Sequence, residues 1–145
     1  MVKWFEDLRA IHDSMEVCKW SIAFSFAQAP ELLTEMFNSV TGLALTAGEL
    51  LTIGERITHV EKAFNMREGL TRKDDMLPKR FLEEPIPDGP SKGRIVDLEP
   101  LLDDYYVARG WDPQTGLAPK SKFQHLGLNE IAEQLESMGK LPADL

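Results

Sequence analysis

A chain of 145 residues, 43% hydrophobic and 28% charged, is long enough for one domain with a sizeable core. Its formal net charge of −8 argues against a nucleic-acid face, which needs a basic patch. No apolar run reaches the roughly 18 residues of a spanning helix, and the start MVKWFEDLRA lacks a basic-then-apolar leader. Neither nucleic acid nor membrane is therefore expected as a partner, and a cytoplasmic location is the default.

In chain order, Trp4, Leu8 and Ile11 recur at i, i+4, i+7 and predict an amphipathic helix from Lys3 to Met15. Val17 to Ala29 is too densely apolar for a one-sided surface helix and predicts a buried one, carrying Trp20, Ile22, Phe24 and Phe26. Pro30 suits the first turn of a third helix, Glu31 to Val40, because its missing N–H is not needed there. Thr41 and Gly42 close that helix. Thr46-x-x-Glu49 has the form of a capping box opening the longest helix, with Leu50, Ile53, Ile57, Val60 and Phe64 as its apolar stripe. Gly69 is placed to end it in the left-handed conformation.

Leu70 to Asp97 shows little periodicity, and Pro78, Pro85, Pro87 and Pro90 fall within it. A connection this long is uncommon in a compact domain unless it is functional or docked on something larger. The Pro78–Phe81 turn offers it one anchored point. The RKDD run, Arg72 to Asp75, reads as solvated surface. Asp97 is placed as the N-cap of a helix Leu98–Arg109, stopped by Gly110. Pro119–Leu126 and Asn129–Met138 predict two more helices, closed by Gly127 and Gly139. The fold expected is all-α: a single domain over residues 1–145, irregular, of about six helices, with one long Pro-rich ordered loop over 70–97.

Cysteine arithmetic limits the chemistry. Cys18 is the sole cysteine, so no intrachain disulfide can form. A 4Fe–4S cluster typically takes four thiolates, so this chain alone cannot complete one. His12, His59 and His125 lack zinc-ligand spacing. Read by itself, Cys18 beside Val17 and Trp20 suits a small buried hydrophobe. Arg56, Glu61 and Arg67 suit structural salt links, and Tyr105, Tyr106 and Trp111 suit core packing.

The wording of two blocks says more than their periodicity. GERITHVEKAFNMREGLTRKDDMLPKRFLEEPIPDGPSKG (Gly54 to Gly93) and DDYYVARGWDPQTGLAP (Asp103 to Pro119) resemble the C-terminal part of the tungsten-containing aldehyde:ferredoxin oxidoreductases. The resemblance runs from Lys3 to Leu128. It implies an intact enzyme oxidising aldehydes to carboxylic acids, with electrons leaving to ferredoxin. It also implies a tungsten (occasionally molybdenum) bis-pterin and a 4Fe–4S cluster in that enzyme. The resemblance further implies a site at Asp13-Ser14-Met15-Glu16-Val17-Cys18, where the family carries D-x-x-G-L-C. Carried over, Cys18 is a 4Fe–4S ligand, Asp13 accepts a pterin amine and Val17 touches the pterin. The N-terminal pterin-binding portion and the other three cysteines lie outside this segment in the family. The isolated chain is thus expected to hold no cofactor and to have no activity, and an uncovered apolar face around Trp20, Phe24 and Phe26 implies a homo-oligomer. The alternative is a non-catalytic split subunit or degenerate relative acting as a helical interaction module.

Glu16 departs from that motif. Asp13 and Cys18 lie about 140° apart around an ideal helix of 3.6 residues per turn, so both can face one cofactor only if the helix breaks between them. The family's glycine permits such a break. In its place Glu16 adds a left-handed penalty of about 1–2 kcal/mol. It also adds roughly 2 kcal/mol of repulsion per unit charge toward an anionic cluster about 7 Å away, at an effective dielectric near 20.

Overall fold

The computed structural model describes residues 1–18, 20 and 30–142. Among these the protein forms seven α-helices and no strand: α1 Val2–Ser14, α2 Pro30–Thr41, α3 Ala47–Glu68, α4 Lys79–Glu83, α5 Leu98–Arg109, α6 Lys120–His125 and α7 Asn129–Ser137. Six of them coincide, within a residue or three at each end, with helices expected from the sequence; α4 is a single turn inside the long connection. The helix expected over Val17–Ala29 falls mostly outside the described residues. Of those that are described, Val17 and Cys18 lie in irregular backbone and Trp20 is 72% exposed, not buried.

The long helix α3 organises the molecule. Thr46 caps it by accepting the Glu49 N–H, while the Glu49 carboxylate accepts the Thr46 N–H at 2.7 Å. That reciprocal pair satisfies two of the otherwise unpaired donors of a helix start. Its 22 residues span about 33 Å at 1.5 Å per residue, long enough to carry two separate cores. Toward its start, Leu50 packs with Leu8 and Ile11 of α1 and Leu33 of α2. Toward its end, Ala63 and Met66 pack with Tyr106, Trp111, Ala118, Phe123, Ala132 and Leu135.

Gly54 lets α1 cross α3 at close range. A Cβ there would sit 2.2 Å from the carbonyl oxygen of Asp7, so no side chain fits. Farther along, the apolar stripe predicted for α3 holds only in part. Val60 and Phe64 are exposed, and His59, Lys62, Ala63 and Met66 are buried instead. The second core approaches α3 from a different side, and it takes polar side chains that can satisfy Trp111.

Connection 70–97 is ordered by few anchors. A 3-10 turn, Arg72–Asp74, begins it. The Ile86 N–H donates to the Arg94 carbonyl, the Ile86 carbonyl accepts the Gly93 N–H, and the Val96 N–H reaches the Phe81 carbonyl. The RKDD run is a clamp and not merely solvated surface. The Arg72 guanidinium bonds Asp103 at 2.6 Å, Glu99 at 2.5 Å and the Pro113 carbonyl at 2.6 Å. Asp75 accepts the hydroxyl of buried Tyr106. α5 begins at Leu98 as expected, although the Asp97 side chain makes no cap hydrogen bond.

Candidate functional site

The motif residues occupy the end of α1 and the turn after it. The Glu16 N–H donates to Asp13 O at 3.2 Å, and the Val17 N–H donates to His12 O at 3.1 Å. This is the paired 5→2 and 6→1 pattern of a Schellman cap, with Glu16 at the position that requires left-handed backbone. Glu16 has φ +56°, the one positive value of a non-glycine residue among the described residues. Caps with the same two bonds end α3, α5, α6 and α7, and there Gly69, Gly110, Gly127 and Gly139 hold the equivalent place. The chain thus breaks the helix between Asp13 and Cys18, and makes the break with a side chain where glycine is usual.

Around that corner Asp13 is exposed in the last helical turn, Val17 packs on the first core, and Cys18 is exposed. The contact between Val17 and the cluster holding Ile11 is the apolar closure usual for this cap. Two carboxylates, Asp13 and Glu16, stand where the helix already presents partial negative charge. Acidic groups there oppose stability by some 0.3–1 kcal/mol each. An exposed thiol, a carboxylate and a strained turn in six consecutive residues are hard to explain by stability alone.

α1 is held in register by buried charge. Arg109 is fully buried; it donates to Asp7, to Glu6 at 2.6 Å and to the Tyr105 hydroxyl at 3.2 Å. Burial works against its charge, but the hydrogen bonds to Asp7 and Glu6 outweigh that and raise its pKa above the ordinary arginine value. Burial, then donation to Glu6, raises the Tyr105 pKa. Lys3 and Lys122 share Glu55 at 3.3 and 2.8 Å. This network ties α1 to α3, α5 and α6, and so positions the corner that α1 ends in.

Sequence reasoning passed over these groups. Arg109 in the last turn of α5 reads as an ordinary dipole-complementing cation, and nothing local signals that it is buried. His59 is buried with both nitrogens engaged: Nδ1 bonds the Glu55 carbonyl at 2.7 Å and Nε2 accepts from the Trp111 indole at 3.0 Å. Burial lowers its pKa, so it is a neutral structural group. Lys62 lies over the Trp111 ring, 4.5 Å from its centroid, beside a cleft of about 650 Å3 between α1, α3 and α5. Burial lowers the Lys62 pKa against the pull of Asp75. Among the described residues no group of three histidine, cysteine or acidic side chains is gathered to hold a metal ion. Nor is any helix long and apolar enough to cross a membrane.

The model of aldehyde ferredoxin oxidoreductase, domains 2 and 3, matches residues 1–128. The chain belongs to this family. It is 43% identical over 132 residues to the tungsten-containing aldehyde ferredoxin oxidoreductase of Pyrococcus horikoshii, covering 90% of this chain and 21% of that protein. The Thermococcus kodakarensis enzyme of the same name is 40% identical over the same shares. A WOR-like subunit of an aliphatic sulfonate oxidoreductase from Pyrococcus furiosus is 29% identical, over 93% of this chain and 22% of that protein. In shape the chain matches the active site complex BamBC of benzoyl coenzyme A reductase, solved with 1,5-dienoyl-CoA, at a TM-score of 0.75 and 21% identity. That match covers 99% of this chain and 21% of the other, and it shows the fold. The chain therefore spans about a fifth of the length of the aldehyde ferredoxin oxidoreductases it matches.

Proposed function

We propose that this chain is the C-terminal part of a tungstopterin, iron–sulfur aldehyde oxidoreductase, supplying one wall of the pterin pocket and one cluster thiolate. The observation that carries this reading is the Asp13–Cys18 corner. The helix breaks between the carboxylate and the thiol, and the thiol is exposed, which supports the reading. The donor set fits the groups. A thiolate is a soft ligand suited to iron, and a carboxylate takes charge-assisted hydrogen bonds from the N–H edge of a pterin. When bound, the metal–pterin group accepts the electrons of aldehyde oxidation and the cluster hands them to ferredoxin.

This chain's own residues bind and orient. Asp13 accepts from the pterin N–H edge, Val17 supplies an apolar contact beside it, and Cys18 donates one thiolate. The Arg109 network holds α1 so that its last turn keeps this aim. The remaining thiolates and most of the pterin cradle come from the N-terminal portion of the same enzyme. Alone, the chain binds neither group and oxidises no aldehyde.

Co-production with that N-terminal portion, followed by iron and tungsten analysis, tests the assignment. Cys18→Ser lowers the iron content of the assembled enzyme, and Asp13→Ala lowers its tungsten–pterin content. Full metal content in both variants would remove Cys18 and Asp13 from the site. Stoichiometric iron in the chain purified alone would contradict its need for outside ligands.

A further inference from the structure

The departure at Glu16 has a use that a decayed motif would not have. Its left-handed backbone is unfavourable for a side chain, and its carboxylate belongs to the negative end of α1. Both effects weigh against stability, while the turn itself is intact, with both cap hydrogen bonds formed. Consecutive Cα atoms are 3.8 Å apart, so the Cα atoms of Glu16 and Cys18 lie within about 7.6 Å. Both residues are exposed on the same turn. A carboxylate two residues along the chain from the Cys18 sulfur is near enough for its field to act on whatever that sulfur binds.

We infer that Glu16 sets the reduction potential of the iron–sulfur centre held by Cys18, lowering it so that the reduced centre is a stronger reductant. The reading rests on Cys18 being a cluster ligand. An added electron makes the centre more negative, and a fixed carboxylate nearby disfavours that state. Removing the charge leaves the thiolate, the turn and the cap in place; only the field at the sulfur changes. Glu16 is thus a tuning residue and takes no part in ligation.

The test is a redox titration of the assembled enzyme, followed by the electron paramagnetic resonance of the reduced cluster. Wild type is compared with Glu16→Gln, which keeps the side chain and the strain, and with Glu16→Gly, which removes both. Water and salt screen the exposed carboxylate to well below the repulsion reckoned at an effective dielectric of about 20. The two variants therefore raise the reduced-to-oxidised ratio at a fixed applied potential by about threefold, which is about 28 mV at 59 mV per decade. The gap to wild type narrows as salt is added, because the charge is exposed. Glu16→Asp stays near wild type. An unchanged potential in Glu16→Gln overturns the inference, as does a shift confined to Glu16→Gly, which would trace to backbone. An unaltered cluster signal in Cys18→Ser would instead overturn the ligand role of Cys18, so the two failures are separable.

Discussion

At the scale of single residues, Glu16 carries the local penalty of a side chain in left-handed backbone. Glycine at that place removes about 1–2 kcal/mol of left-handed strain and gives back up to about 1 kcal/mol of unfolded-chain entropy. Glu16→Gly is expected to stabilise the protein by about 1 kcal/mol in denaturant titration; destabilisation would mean that the side chain itself holds the turn. His59 has a different signature. Its folded pKa lies below the unfolded value of about 6.5. The unfolded chain therefore binds more protons just below that pH. The stability tied to neutral His59 is complete above about pH 6.5 and drains away as pH falls below it. His59→Gln is expected to flatten the slope of unfolding free energy between about pH 6.5 and 5. An unaltered slope would assign the acid sensitivity to other groups.

At the scale of elements, most helices were legible because their ends are written in short-range chemistry. The Thr46–Glu49 box and the closing glycines Gly69, Gly110, Gly127 and Gly139 mark boundaries that need no tertiary information. The buried faces were less legible. Val60 and Phe64 continue an apolar period yet face outward, while Lys62, Asp7 and Arg109 are buried against the ordinary expectation for charged side chains. Which face a helix buries depends on partners distant in sequence, and α3 has different partners at its two ends. The candidate site was legible only through resemblance. Periodicity ends α1 near Met15, and a glutamate gives no signal for a left-handed cap. Gly54 shows the opposite case, an element contact fixed by one missing side chain. Gly54→Ala is expected to force α1 and α3 apart and to destabilise by about 1–3 kcal/mol. A thermal midpoint equal to wild type would show that the crossing can slide.

At the scale of the whole molecule, the chain shows apolar surface in several places. Trp4 and Phe5 of α1 are partly exposed, and Trp20, Val40 and Leu43 are largely so. Residues of this kind, in a segment that is about a fifth of its relatives' length, are suited to being covered by the remainder of an enzyme. Sedimentation of the purified chain is expected to show concentration-dependent dimers or larger species, and co-production with the N-terminal portion to suppress them. Strict monomers at high concentration would mean that these side chains are tolerated in water.

The Arg72 clamp has a topological consequence. It ties the start of the 70–97 excursion to Glu99 and Asp103 at its far side, and Asp75 to Tyr106 adds a second tie. The excursion is therefore a detour whose entry and exit are already fastened together, and it lies almost wholly in solvent. Severing it with trypsin at Lys79, Arg80, Lys92 or Arg94 is expected to leave two peptides that co-elute as one folded particle. Separation of the pieces on gel filtration would show that the covalent path, and not the clamp, keeps the halves in place. A gene could accept an insertion or a break in this stretch with little harm to either half.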